Sequence, residues 1–443
     1  MLRKHALLFI VGIMVLGGCR PTAKPSEYNV KAANPDLYHQ CVDKLTQVIV
    51  HDIFTPPVAS RIYTYANLAG YEALVPSDST RQSLGGKLKG FKGVPAPDKM
   101  QEYCFPLSSV RAFLSVGRTL TFSGEYFDDY EKTFYKKYRE MGVPNDVFER
   151  SMAYGDTVAA YIIKYSSKDN YKQTRGFRHT VTNKDGTWTP TPPAYADAVE
   201  PLWGTIRSVT MDSSRQFMPP PPPSYTKDKK SLFSKEVLEV YNVGKALTEE
   251  QKRIAYFWDD NAFVMNVTGH VMFANKKMTP GGHWLAIIKT VGQKNKIAMM
   301  PCVEAYILTS IALLDGFINC WEAKYKYVKI RPETTINEDF DPKWLPFLQT
   351  PPFPEYTSGH STISAAAAEV LTSLMGESVA FTDSTEYKFG HGVMSFKSFK
   401  EAAAMASISR VYGGIHFRSG CDEGAKMGIK VGQNVLSVAK TRK

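Results

Sequence analysis

The chain has 443 residues, with 54 Lys and Arg against 43 Asp and Glu and a formal charge of +11. Its 43% hydrophobic content excludes a disordered protein, and its length exceeds what one core fills, so two packed units are expected. The lysines are scattered and no recognition motif accompanies them, which argues against a nucleic-acid partner and leaves a basic surface that draws small anions toward a cleft.

Residues 1–18 read as an address. Arg3 and Lys4 precede an apolar run at 7–16 that is too short to span a bilayer. The run ends in Leu16-Gly17-Gly18-Cys19, which resembles a bacterial lipoprotein cleavage box. That resemblance implies a lipidated Cys19 as the mature N-terminus and a place in the bacterial cell envelope, held by the anchor alone. Arg20 lacks the acidic signal associated with inner-membrane retention, which leans toward the outer membrane. Residues 19–40 are polar and read as a tether. No later apolar run is long or clean enough for a membrane span. Cys41, Cys104, Cys302, Cys320 and Cys421 show no metal spacing and read as small buried apolar residues.

An N-terminal helical half is expected over 41–233. Apolar spacing predicts helix over 41–74, interrupted at Pro56-Pro57, then over 110–141 and 144–165. Residues 170–233 differ: Pro190, Pro192-Pro193 and the run Pro219 to Pro223 cannot be helical. This stretch reads as a strap along the surface or as a partner-binding extended segment. A C-terminal half over 234–443 resumes helical patterning from 235, then over 249–265, 281–291, 301–327, 358–375, 399–412 and 419–439. No alternating strands and no repeat stand out. The class is all-α, a pair of packed helical bundles.

The chemistry lies in the second half. Lys324 and Arg331 are nearly two turns apart, which predicts one helix face, with Pro332 stopping the helix at Arg331. A basic helix end explains the pair equally well. Ser358-Gly359-His360 opens a small-residue helix, where a hydroxyl, free N–H groups and the dipole suit an anion. Ser358 also reads as a plain N-cap. Arg410 precedes Gly413-Gly414, a turn expected to approach a ligand and to present His416. Together the cations, the helix start and the imidazoles suit a tetrahedral oxyanion, phosphate or vanadate, while something reacts at its central atom.

The ordered trio K-x6-R-P, S-G-H and S-R-x5-H resembles the superfamily of vanadium-dependent haloperoxidases and type 2 phosphatidic acid phosphatases (PAP2). Asp315 to Pro332, Thr350 to His360, Thr187 to Pro193 and Pro280 to Trp284 look closer to bacterial haloperoxidase-like members than to membrane phosphatases. The resemblance implies two helical bundles without membrane spans. It implies Lys324, Arg331, Arg410, Ser358 and Gly359 as oxyanion-binding residues, His416 as axial vanadium ligand or phosphorus nucleophile, and His360 as acid–base. It also implies a vanadate cofactor, phosphate as competing occupant, and hydrogen peroxide with halide, or a phosphate ester, as substrates.

Two positions depart from the family pattern. Thr357 stands where a proline is usual, a mild change in loop stiffness. Gly420 stands where an Asp is expected to orient the histidine, which weakens the phosphatase alternative. Asp422 or Glu423 is a candidate substitute, although Ser419-x-x-Asp422 also reads as a capping box. His283 and Trp284 are candidates for the cleft mouth or for structure, and His270 for structure. Asp315, in an apolar helix, is expected to pair with a cation. The expected activity is vanadate-dependent halide oxidation. The alternatives are an acid phosphatase and a non-catalytic envelope lipoprotein that binds phosphate or a partner.

Overall fold

A computed structural model describes residues 25–262, 264–268, 271–274 and 276–443. The expected leader, Cys19 and His270 lie outside them.

The first bundle comprises α1 (Pro25–Ala32), α2 (Pro35–His51), α3 (Pro56–Leu74), α4 (Phe105–Leu120), α5 (Asp128–Glu140) and α6 (Asn145–Ser166). Prolines start helices here. The Asn34 side chain accepts from the Asp36 N–H with Pro35 in the first turn, and Thr55 accepts from the Val58 N–H with Pro56 following. Residues 35–40 therefore do not belong to a tether: they open α2 and bury Leu37, Tyr38 and His39. The expected helix over 110–141 breaks after Leu120, where the Asp52 carboxylate accepts the N–H groups of Phe122 and Ser123 at 2.8 and 3.1 Å.

After the single turn α7 (Tyr171–Thr174) the chain runs without an α-helix to residue 231. Asp315 pins this connection. Its carboxylate takes the N–H groups of Val209 and Thr210 at 2.7 and 2.8 Å and the Thr210 hydroxyl at 2.6 Å. Asp315 is thus satisfied by backbone donors and not by the expected cation. The proline run is held by Tyr327, whose hydroxyl donates to the Pro219 carbonyl at 3.1 Å, by Tyr356 on the Pro220 carbonyl at 2.7 Å, and by Lys329 on the Pro223 carbonyl.

The second half comprises α8 (Leu232–Lys245), α9 (Glu249–Phe257), α10 (Pro280–Lys294), α11 (Met299–Tyr327), α12 (Pro332–Asp339), α13 (Gly359–Met375), α14 (Phe399–Tyr412) and α15 (Arg418–Val438). Two antiparallel hairpins interrupt it, against the expectation of none: β1 (Met265–Thr268) with β2 (Val271–Ala274), and β3 (Phe381–Asp383) with β4 (Met394–Phe396). The helix expected to run to residue 265 ends at Phe257, because Asp259 and Asp260 pair with Lys277 and His283 instead of continuing the turn.

Helix α11 joins the halves, packing against α3 on one side and α13 on the other. By length and composition it is apolar enough to cross a membrane, contrary to the expectation, yet 94% of its most apolar window is buried inside the protein. It is apolar all round because both bundles cover it. Each fully buried Ile or Leu, such as Ile307, Ile311 and Leu314, contributes roughly 1.5–3 kcal/mol. Helix α15 reaches α13 backbone to backbone: a methyl on Gly428 would lie 2.0 Å from the Thr362 carbonyl, and one on Gly424 3.0 Å from the Ser358 carbonyl. That close approach fixes the start of α13, where the site is built.

Candidate active site

Lys324 leaves the last turns of α11 and donates to the carbonyls of Pro354 and Glu355 at 2.8 and 3.0 Å. The helix does not continue to Arg331. Val328 adopts left-handed φ 44°, ψ 42°, a conformation that costs a β-branched residue on the order of 1–3 kcal/mol, and α11 stops at Tyr327. Arg331 is therefore not on the same helix face as Lys324. It is the residue before α12, in extended conformation, and donates to Phe353 and Ile415 carbonyls at 2.9 and 2.7 Å. Arg410, in the last turn of α14, donates to the Trp258 carbonyl at 2.5 Å. All three cations are buried.

Ser358 caps α13, its oxygen accepting from the Ser361 N–H at 3.3 Å. The cap leaves the hydroxyl hydrogen for another acceptor, so capping and anion binding are compatible. Gly359 opens the helix with an N–H that has no intrahelical acceptor. Gly414 turns the chain at φ 76°, but Gly413 and Gly414 approach Leu348, Trp344 and Pro346 and not a ligand.

That turn delivers His416. Its Nε2 lies 3.2 Å from Arg331 Nη1 and its Nδ1 lies 2.8 Å from Glu355 Oε1. A guanidinium only donates, so Nε2 carries the lone pair and Nδ1 the hydrogen. His360 bonds the backbone of Asp259, and its Nε2 lies 4.0 Å from an Asp260 carboxylate oxygen. Gly359, His360, Arg410 and His416 line a cavity of about 30 Å³ with Phe317, Trp321 and Phe353. Lys324, Arg331 and Ser358 are buried around it without lining it. A space of that size holds a small ion.

Cations outnumber the one buried carboxyl, Glu355, that faces Lys324 and Arg331. Burial pulls the Lys324 ammonium down to about 7, and the charge of Arg331 adds to this. Burial, then the charges of Arg331, Lys324 and Arg410, hold His416 well below the usual histidine range. Burial and Arg410 do the same to His360. Arg331 Nη2, Arg410 Nε and His360 Nε2 are buried and have no hydrogen-bond partner among the described residues. The two unpaired guanidinium donors amid clustered positive charge fit a multiply charged oxyanion, which would satisfy both deficits, and the free His360 Nε2 is left to exchange a proton.

Two carboxylates escaped the sequence reading. Glu355 was hidden in a proline-rich loop, and Asp260 in what read as helix. Their signals were an acidic residue in an otherwise apolar loop and an Asp-Asp-Asn run. Neither expected substitute for Gly420 reaches His416: Asp422 is exposed and Glu423 pairs with Lys426 at 2.7 Å. The capping box is absent, since Ser419 bonds Glu236 through its N–H and hydroxyl. His283 and Trp284 do not line the mouth. Both are fully buried, His283 between Asp260 (3.0 Å) and Asp383 (2.8 Å), and Trp284 donating to Ser364 at 2.9 Å. The five cysteines of the described residues are free and buried.

The family model for the second helical-bundle domain of VCPO matches residues 304–442. No curated protein matches the chain. Among solved structures, the crystal structure of the first bacterial vanadium-dependent iodoperoxidase is 41% identical, with a TM-score of 0.88 over 93% of this chain and 98% of that one. Holo-type and apo-type structures of a bacterial vanadium-dependent chloroperoxidase are 15% and 14% identical, with TM-scores of 0.67 and 0.66. They cover 88% and 87% of this chain and 93% and 95% of theirs, and share its fold.

Proposed function

The chain belongs to the vanadium-dependent haloperoxidase family, and on that premise we propose that it is a vanadate-dependent enzyme that oxidises iodide with hydrogen peroxide. The observation that carries this reading is the pair of unpartnered donors, Arg331 Nη2 and Arg410 Nε, beside the unpartnered His360 Nε2 and a His416 Nε2 that carries a lone pair. Iodide is chosen because the iodoperoxidase is the relative with 41% identity over nearly its whole length.

Vanadate, when bound, supplies the centre at which peroxide is activated toward halide. Lys324, Arg331 and Arg410 neutralise its oxygens, the Arg pair through fixed N–H donors. The Ser358 hydroxyl and Gly359 N–H add neutral donors at the helix start. His416 would hold the group through its Nε2 lone pair. His360, kept neutral by burial and by Arg410 and with a free Nε2, would accept a proton from an incoming peroxide and return it to a leaving oxygen. Phe317, Trp321 and Phe353 form the apolar part of the cavity wall, which lowers the local dielectric and strengthens each charge contact. The same cage suits hydrolysis of a phosphate ester through His416, and a non-catalytic phosphate-binding role is the remaining alternative.

The enzyme is further proposed to sit in the cell envelope on a lipid at Cys19, a reading supported by Leu16-Gly17-Gly18-Cys19. Loss of membrane association in Cys19→Ala tests it, and unchanged fractionation rejects it.

For the activity, purified protein is assayed with peroxide and iodide, bromide or chloride, with and without orthovanadate, and separately with an aryl phosphate. Vanadate-dependent iodide oxidation is expected. Aryl phosphate hydrolysis with no halide oxidation selects the phosphatase, and neither activity selects the binding protein.

A further inference from the structure

The superfamily's orienting Asp is Gly420 here, yet His416 does not lack a carboxylate. Glu355, on the opposite strand of chain leading into α13, sets Oε1 at 2.8 Å from His416 Nδ1 and takes the Phe417 N–H on the same oxygen at 3.2 Å. A Cβ at position 420 would lie 2.2 Å from that Oε1 and 3.0 Å from the carboxyl carbon. Glu355 therefore fills the space that a side chain at 420 would need. Position 420 is tied there by its backbone, its carbonyl accepting the Ser358 N–H at 2.9 Å. Glu355 is fully buried, and its own carbonyl accepts from Lys324. One residue thus touches the imidazole with its side chain and one of the cage cations with its backbone.

We propose that Glu355 is the positioning residue for His416: it accepts the Nδ1–H, keeps the lone pair on Nε2 and aims it into the cage, in place of a carboxylate at position 420. Glycine at 420 is the other half of the same arrangement, and the two positions exchange roles as a pair. The inference rests on His416 as the residue that meets the oxyanion. It does not depend on which reaction follows. Carboxylate partners of this kind fix the tautomer of a ligating histidine and raise its basicity, and their removal lowers affinity by about 10–100-fold.

The test reads the tautomer directly. Protein labelled with 15N-histidine, without anion, is compared by NMR for wild type, Glu355→Ala, Glu355→Gln and the double variant Glu355→Ala/Gly420→Asp. Wild-type His416 is expected as the Nδ1–H form. Glu355→Ala frees the ring to turn away from the Arg331 N–H, so it is expected to shift the population toward Nε2–H and to weaken orthovanadate binding by about 10–100-fold. The double variant, with the carboxylate supplied from position 420, is expected to restore both. Glu355→Gln keeps an acceptor oxygen without charge, so it retains the tautomer and loses about tenfold in vanadate affinity; it covers the case in which the alanine variant does not fold. An unchanged tautomer and affinity in Glu355→Ala, an unchanged affinity in Glu355→Gln, or a folded double variant that restores neither property overturns the proposal. Because the spectra need no vanadate and no turnover, a failure of the haloperoxidase reading would leave the tautomer result standing.

Discussion

Two buried clusters of charge flank His360, and they differ in how their imidazole is held. On one side, Lys324, Arg331, Arg410 and His416 form a cage in which Arg331 Nη2 and Arg410 Nε find no partner. On the other, His283 is held at both nitrogens by Asp260 and Asp383. Burial pulls His283 down, and the two carboxylates more than reverse it, keeping the imidazole charged. In the cage, burial and neighbouring cations strip charge from His416, His360 and Lys324 alike. Asp260, His283 and Glu386 do bring metal-capable atoms within 4.8 Å of one another, but His283 has no nitrogen left to offer a cation. The contrast separates a histidine closed between two carboxylates, with Glu386 Oε1 unpartnered beside it, from a histidine among cations that a ligand completes.

The largest effect that distinguishes them is on stability. His283→Leu leaves two buried carboxylates without their shared cation and is expected to cost about 3–5 kcal/mol by urea denaturation, whether or not anion is present. A cost below about 1 kcal/mol would erase the distinction. Arg410→Leu is expected to behave in the opposite way. It relieves the repulsion that Arg410 exerts on Arg331 and His416 and removes the charge facing Asp259 and Asp260, two effects that offset, so the ligand-free protein changes less. What it removes is the stabilisation by vanadate, which in wild type reaches about 2.7 kcal/mol at a hundredfold excess over Kd. Thermal melts with and without vanadate measure both.

Smaller effects sharpen the picture. Gly428→Ala pushes a methyl against the Thr362 carbonyl and is expected to cost about 1–3 kcal/mol, with a loss of anion affinity because the start of α13 moves. The pH dependence follows from Lys324. Its folded value of about 7 lies below the unfolded 10.5, so its burial cost is fully present below about 7 and fades as pH rises toward 10.5. A bound anion raises that value again, so binding takes up a proton. Affinity for sulfate, whose own charge is fixed in this range, is expected to be flat below pH 7 and to fall by up to about tenfold per unit above it. A flat profile to pH 9 would remove Lys324 from the cage.

The trio of motifs was legible in the sequence because each marks a local event: a cation near a helix end, a serine that starts a helix, a glycine turn before a histidine. The helices were legible wherever one apolar stripe repeats, as in α2 and α4, or where the apolar run is long, as in α11. What the sequence hid is set by distant partners. Glu355 and Gly420 are 65 positions apart and make sense only as a pair that shares one volume. Asp260 became visible only once Asp259 and Asp260 were seen to leave α9 for Lys277 and His283. Val328 ends α11 in a backbone region that no β-branched residue favours, held by the bond from its N–H to the Lys324 carbonyl and by the Trp188 N–H on its own carbonyl. Nothing local announces that stop, and it is what separates Lys324 from Arg331.

A crystal structure of the protein grown with orthovanadate tests the central claim most directly. The account predicts vanadium on His416 Nε2, with oxygens met by Arg331 and Arg410, and no added density at His283. A cage left empty at saturating vanadate, or vanadium lodged among Asp260, His283 and Glu386, would contradict it.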